Sequence, residues 1–282
     1  MLSPTPQSPQ ARTTRLRGRK LRGWRRLAGS FWGRPRDPQF YGDLELDAGT
    51  LLEHLRVLRE RTGTHVTLTH AIGRAVAHGL DIVPDLRVRL AGGREYPRES
   101  TDIFFIVAAE GGELTGCKVD RADEKSLIEI ADELGSLRKS ISSGDDESFG
   151  KAKKMLDLLP MRLLRVAMNL SAWLTSDLNL DLPALGVRRQ AFGSAMITSV
   201  GVWGISRAYS PLASYYRVPV LVLVGAVTQR PVAVAGQVVI RPMLTLTATF
   251  DHRYADGFQA ARFAQAVQEY CADPAAFEPS LV

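Results

Sequence analysis

The sequence lacks the features by which membrane, secreted and disulfide-bonded proteins are usually recognised. Only two cysteines occur among its 282 residues, Cys117 and Cys271, in no metal-ligand or redox spacing, which indicates ordinary thiols in a reducing compartment. No apolar run reaches the roughly 18 residues of a membrane-spanning helix. The longest run, residues 218–227, is short and β-branched, as a central strand should be. No signal-peptide pattern opens the chain, so we expect a cytoplasmic protein.

Acidic residues are absent from residues 1–36, which carry ten of the 36 lysines and arginines. The other 26 basic residues stand against 30 acidic ones, so the net charge of +6 describes a basic arm on a mildly acidic body. Apolar residues at helical spacing among the arginines predict a short amphipathic helix. A solvated tail that packs one aromatic face on the body is the simpler interpretation, and contact with an anionic membrane or nucleic acid stays open. The apolar positions are Leu21, Trp24, Leu27, Phe31 and Trp32.

Residues 37–282 have the pattern of a single folded domain. Apolar residues make up 45% of the chain, which is enough for a substantial core. Strand and helix patterns mix without strict βαβ alternation, so the expected fold is α/β, with a mixed β-sheet covered by helices in two layers. The predicted strands are 40–47, 101–109, 113–119, 194–200, 218–227 and 243–250, with hairpin turns at Gly111–Gly112 and Gly236–Gln237; the predicted helices are 51–58 (capped by Asp47), 67–80, one from Asp123 onward, and 257–272.

A helical insertion is predicted at about residues 150–190. It follows the polar stretch 142–148 and reads as one or two helices interrupted at Pro160. Arg162 and Arg165 argue against a membrane-spanning segment. A helix lying on a membrane surface is one interpretation, and a lid or packing insertion is the favoured one.

One of the five histidines has an unusual position. His54, His65, His70 and His78 fall in or between the N-terminal helices, in no convincing metal-ligand spacing, and are expected to be structural. His252 instead closes a regular strand just before a helix, where side chains often face a cleft. Three plainer interpretations compete with a catalytic one. In the first, Asp256 is simply a helix N-cap; in the second, Asp251 and Arg253 form a surface pair; in the third, the His252 ring packs at a sheet edge. No third ligand is evident, so we expect no metal site.

The wider context of His252 resembles a known family. In order, the chain shows SAMITSVGVWG, an apolar strand ending in Val-Gly, RPV, a short hairpin, IRP, and DHRYADG, across residues 194–263. This arrangement resembles the catalytic domain of the dihydrolipoamide acyltransferases of 2-oxoacid dehydrogenase complexes, which share the fold of chloramphenicol acetyltransferase. Weaker likeness extends over about 240 residues in all. The resemblance implies a CoA-dependent acyltransferase acting between a thioester, acyl-CoA or acyl-lipoamide, and a thiol or other acceptor.

The resemblance also implies a role for each candidate residue. His252 falls on the general base, Thr198 on the hydroxyl that stabilises the oxyanion, and Asp256 on a motif acid that is structural or orienting. Ser199, on the opposite strand face, is the alternative hydroxyl. Coenzyme A is implied as a substrate, with lipoamide carried by another protein, while CoA-contacting residues stay unassigned.

Assembly and domain content follow from the same resemblance. It implies a homotrimer whose sites lie between subunits, with the histidine from one chain and the hydroxyl from its neighbour. The sequence shows no lipoyl or subunit-binding domain, so a stand-alone form is expected, as a free trimer rather than a cage. A non-catalytic oligomeric scaffold or partner subunit is the alternative function, and a membrane or nucleic-acid binder driven by the arm is a third.

Overall fold

The computed structural model describes residues 37–108, 114–143, 160–182 and 188–278. Residues from Pro38 onward belong to one compact unit, separate from the unit that ends at Asp37. The predicted basic arm, the turn at Gly111–Gly112 and the start of the predicted insertion lie outside the described residues.

Five α-helices and nine strands make up the described part of the chain. No described helix has the length and apolar character needed to cross a membrane. The helices are α1 (Gly49–Thr62), α2 (Leu68–Ile82), α3 (Leu127–Ser143), α4 (Met161–Ala172) and α5 (Gly257–Ala272). The strands are β1 (Gln39–Asp47), β2 (Val88–Ala91), β3 (Arg94–Pro97), β4 (Ile103–Ala108), β5 (Leu114–Val119), β6 (Ala195–Ser199), β7 (Val220–Val224), β8 (Thr228–Val234) and β9 (Gln237–Asp251).

The main sheet is mixed, which confirms the predicted architecture. Its strand order is β1-β9-β7-β6-β4-β5, and β8 pairs with the first half of β9. Strands β4, β6 and β7 run parallel, whereas β1, β5 and β8 pair antiparallel with their neighbours. Strands β2 and β3 form a separate hairpin. The carboxyl end of β9 therefore lies at the same edge of the sheet as the amino ends of β6 and β7.

The two faces of the sheet bury different side chains because successive residues point to opposite sides. Along β9, Leu244, Leu246 and Phe250 join the core that the helices cover. The intervening threonines face a loop instead: Thr249 Oγ1 donates to the Ser210 carbonyl at 2.7 Å, and Thr247 Oγ1 donates to that of Ala208.

Several predicted boundaries were wrong. The hairpin turn is at Ala235–Gly236 rather than Gly236–Gln237, since both residues have positive φ, 49° and 79°. Strand β9 runs unbroken through Pro242, just beyond the β1 pairing, and the Pro242 carbonyl accepts from the Ala48 N–H. Helix α3 begins at Leu127 rather than Asp123, because Ser126 and Glu129 cap it: both the Ser126 N–H and hydroxyl donate to the Glu129 carboxylate at 2.8 Å.

Helix α4 lies in the described part of the predicted insertion, and it begins directly after Pro160. Its last residue, Ala172, is buried, whereas apolar side chains on its other side are exposed. The helix continues as a π turn from Trp173 to Asp177, where the Asp177 carbonyl accepts from Arg89 Nη1 at 2.7 Å. The exposed apolar side chains at helical spacing are Leu163, Val166, Leu170 and Trp173.

Candidate functional site

His252 follows the last residue of β9 and lies in a tight turn. The Tyr254 N–H donates to the Asp251 carbonyl at 3.0 Å, and the His252 N–H donates to the Pro38 carbonyl at 2.8 Å. The imidazole is exposed, and its ring centroid lies 5.0 Å from that of Phe40 at an interplanar angle of 57°. The backbone of His252 is thus fixed while its ring stays accessible.

An ion pair between Asp251 and Arg253 stabilises this turn. Asp251 is only 6% exposed, and its carboxylate accepts from the Arg253 backbone N–H at 3.0 Å and from Arg253 Nε at 2.9 Å. The hydrogen bond that the Arg253 guanidinium donates to the Asp251 carboxylate raises the pKa of Arg253. The predicted surface pair of Asp251 and Arg253 is therefore half-buried, and its two residues flank His252 in the chain.

Asp256 is the N-cap of α5. Its Oδ1 accepts from the Phe258 N–H at 2.8 Å, and its own N–H donates to Gln259 Oε1 at 3.1 Å, which together form a capping box. Within the described residues the Asp256 carboxylate makes no hydrogen bond to His252. The N-cap interpretation accounts for both of these hydrogen bonds.

The two candidate hydroxyls on β6 differ in their hydrogen bonds. Ser199 Oγ donates to the Val224 carbonyl at 3.3 Å and accepts from the Gly201 N–H at 3.3 Å, so it helps to end the strand. The half-buried Thr198 hydroxyl has no hydrogen-bond partner within the part of the chain that the structure describes. Of the two, Thr198 therefore keeps its donor available.

Close backbone packing shapes the segment after Thr198. A Cβ on Gly201 would lie 2.7 Å from the Gly225 carbonyl oxygen, and one on Gly225 would lie 2.1 Å from that of Ser206. Only glycine allows these approaches. The small-residue turn after β6 and the Val-Gly end of β7 thus have a shared physical cause.

Thr198 and His252 are not brought together within one chain. Thr198 is opposite Leu223 of β7, and Leu223 is opposite Thr247 of β9. Five further residues along the chain separate Thr247 from His252, about 16 Å at strand rise, and two strand spacings add about 10 Å sideways. The two Cα atoms are therefore about 19 Å apart, too far for both side chains to act on one atom.

The other candidate chemistry has structural explanations. Among the described residues, no group of His, Cys, Asp and Glu side chains could hold a metal ion. His70 Nδ1 accepts from the Thr67 N–H at 3.2 Å in the capping box of α2, and burial lowers the pKa of His70 to about 4. Both cysteines are buried, and burial raises the pKa of the Cys271 thiol to about 12. Neither cysteine is a reactive thiolate near neutral pH.

A buried arginine contacts the loop that precedes β7, and no pattern in the sequence pointed to it. Arg98 donates to the Gln190 side chain at 2.6 Å and to the Arg217 carbonyl at 2.9 Å, and burial lowers its pKa to about 10. Arg217 lies 3.2 Å from the Asp177 carboxylate at the end of the π turn. The contact joins the insertion to the loop that precedes β7.

Family comparison explains why these elements occur together. Residues 33–146 and 187–278, well over half of the chain, match the family described as 2-oxoacid dehydrogenases acyltransferase (catalytic domain). The chain belongs to this family. Residues 147–186, which include α4 and the π turn, fall outside the matched ranges of the acyltransferase family.

Proteins similar to this chain are named as acyltransferases. The mitochondrial dihydrolipoyllysine-residue succinyltransferase component of the 2-oxoglutarate dehydrogenase complex of Saccharomyces cerevisiae is 26% identical over 82% of this chain and 42% of its own length. This chain thus spans less than half of that relative. A probable dihydrolipoamide acetyltransferase from Listeria monocytogenes has a similar structure, with a TM-score of 0.63, 20% identity, and coverage of 94% of this chain and 97% of its own.

A second similar structure concerns catalytic residues in its own protein. The dihydrolipoamide acetyltransferase of Azotobacter vinelandii aligns with a TM-score of 0.62 and 22% identity, over 86% of this chain and 84% of its own. Its structural description addresses the role of a serine, a histidine and an asparagine in that enzyme's mechanism, with the asparagine four residues after the histidine. In this chain Asp256 lies four residues after His252.

Proposed function

We propose that the chain is a CoA-dependent acyltransferase that moves an acyl group between a thioester and a thiol. The observation that supports this most is an accessible imidazole on a rigid turn, in a chain of the acyltransferase family. Coenzyme A and dihydrolipoamide are the substrates expected of such a domain. Asp256 is assigned the structural role of capping α5.

His252 is proposed as the general base. It takes the proton from the attacking thiol as the sulfur bonds to the thioester carbonyl carbon. The tetrahedral intermediate then collapses, and the departing thiolate recovers the proton. Proton transfer from a free thiol to a free imidazole in water is about 2.7 kcal/mol uphill, so the protein must hold the base in position. The Asp251–Arg253 pair and the Pro38 carbonyl supply that support.

Thr198 is proposed as the donor to the oxyanion of the intermediate. A donor that is not otherwise engaged can turn to the charge as it develops, and one such hydrogen bond is worth roughly 3 to 4 kcal/mol. Because Thr198 lies about 19 Å from His252 in its own chain, the proposal requires that the two groups come from neighbouring subunits. A homotrimer with shared sites meets this requirement.

Acyl transfer from acetyl-CoA to dihydrolipoamide by the full chain tests the assignment. His252→Ala is expected to lower kcat by at least about 10²-fold, and Thr198→Val by a similar factor. Thr198→Ser keeps the hydroxyl and is the matched control, which should stay near the wild-type rate. Full activity of His252→Ala would refute the base assignment. A wild-type chain that transfers no acyl group would instead favour the scaffold alternative.

A further inference from the structure

A cavity of about 350 Å³ lies between α5 and the sheet edge formed by β1 and β9. This volume is within the range of small-molecule sites, roughly 300 to 1,000 Å³. Its walls are almost wholly apolar, and include Leu44, Leu246, Phe263 and Val267. None of the residues proposed above as base or oxyanion donor lines it.

Small residues on both sides keep the space open. Gly42 lies between Phe40 and Leu44 on the helix-facing side of β1, and a Cβ built on it meets no atom within 4 Å. Ala260 and Ala264 line the opposite wall on α5. Glycine weakens a strand interior, and neither a turn nor a positive φ requires it at residue 42. Its effect on the structure is to leave volume.

The cavity adjoins the proposed base. Phe40 and Phe250 both line it, and their rings stack with centroids 5.0 Å apart. The other neighbour of Phe40 is the His252 ring, also 5.0 Å away. A thioester bound at His252 would therefore have its acyl group next to the Phe40 ring, which borders the apolar cavity.

Charge on the walls restricts the ligand. Asp43 is the one charged residue among the described cavity-lining residues, and its carboxylate pairs with Arg207 at 3.3 Å and Tyr209 at 3.2 Å. Among the described residues, no cationic side chain lines the cavity to pair with a ligand carboxylate. An anionic acyl group such as succinyl would lose its hydration there without a partner.

We propose that this cavity binds the apolar end of an uncharged acyl chain longer than acetyl, which makes medium-chain acyl thioesters the preferred substrates. The proposal rests on the proposed function, because the chain reaches the cavity only from a thioester bound at His252. Each methylene buried raises affinity by up to about fourfold. We expect kcat/KM for octanoyl-CoA to exceed that for acetyl-CoA by at least about tenfold, with succinyl-CoA the poorest of the three.

Gly42→Leu tests the cavity directly, since a leucine side chain there takes up part of its volume. It should lower kcat/KM for octanoyl-CoA by at least about tenfold and leave that for acetyl-CoA within about twofold. Gly135→Leu, at an exposed position of α3 whose Cβ also meets no atom within 4 Å, is the matched control and should change neither value. Ala264→Leu narrows the cavity from the helix and replaces Gly42→Leu if that variant does not fold.

Binding without turnover separates this proposal from the proposed function. In the full-chain His252→Ala variant, calorimetry should show octanoyl-CoA binding at least about tenfold tighter than acetyl-CoA, and adding Gly42→Leu should abolish the difference. That result supports the cavity even if the base assignment fails. Equal binding of the two thioesters, or a preference that survives Gly42→Leu, would overturn the cavity proposal while leaving His252-dependent acetyl transfer intact.

Discussion

Co-assembly of two inactive variants tests whether each site is shared between subunits. His252→Ala chains lack the base but keep Thr198, and Thr198→Val chains lack the hydroxyl but keep the base. Because the strand register separates the two groups by about 19 Å, a shared site must take one group from each of two chains. A mixed oligomer then contains some sites with both groups intact.

The expected recovery follows from counting. In a closed ring with one site per neighbouring pair, equal random mixing gives about a quarter of the sites an intact base and an intact hydroxyl. Each parent oligomer should show about 1% of wild-type activity or less. A trimer that contains both chains always has one intact site in three, so the selected mixed trimers should recover to about a third of the wild-type rate, some 30-fold above either parent.

The assay is co-expression of the two full-length variants with different affinity tags. Two successive purifications retain oligomers that contain both chains, and transfer from acetyl-CoA to dihydrolipoamide gives their rate. Mixing two separately purified homo-oligomers without subunit exchange is the control and should give no recovery. Co-assembled oligomers that stay at the parental rate would refute the shared site, and with it the use of Thr198 as the donor to His252 chemistry.

Two further predictions concern stability. The pKa of His70 is about 4 in the folded chain against 6.5 in the unfolded chain, so the unfolded chain binds the proton first as the pH falls. The free energy of unfolding should therefore drop by about 3 kcal/mol between pH 6.5 and 4. Urea titrations should show that most of this pH dependence vanishes in His70→Asn but persists in the control His65→Asn, at an exposed position. Asp256→Ala should lower the free energy of unfolding by about 1 kcal/mol, because the hydrogen bond from the Phe258 N–H is lost. Asp256→Asn should keep both stability and acyl transfer. A large loss of acyl transfer in a stably folded Asp256→Asn would contradict a purely capping role.

Local signals in the sequence predicted much of the fold. The alternation before Asp251 and the capping pattern at Asp256 predicted the end of β9 and the start of α5, because both depend on neighbouring residues. The shifted turn at Ala235–Gly236 was missed, since it needs positive φ at an alanine, which composition does not suggest. The predicted strand began at Met243, whereas β9 runs through Pro242, where β1 has already ended.

The candidate site could be predicted only in part. Alternation on β6 identifies Thr198 and Ser199 as candidates but does not separate them. The choice between them depends on the Val224 carbonyl, which occupies the Ser199 hydroxyl from the next strand. The contact of His252 with Phe40 was equally out of reach, because about two hundred residues lie between them and the strand pairing of β1 with β9 alone joins them.

The position of His252 depends on a short loop that contacts three distant segments. The Arg217 carbonyl accepts a hydrogen bond from the buried Arg98. The Arg217 guanidinium forms an ion pair with Asp177 of the insertion. Two residues later, the Pro219 carbonyl accepts from the Asp251 N–H at 2.9 Å, next to the proposed base. The insertion lies outside the residues matched by the family, yet it contacts the loop that fixes the turn of His252. A change in the insertion can therefore alter the proposed base without touching it, which no local pattern around DHRYADG reveals.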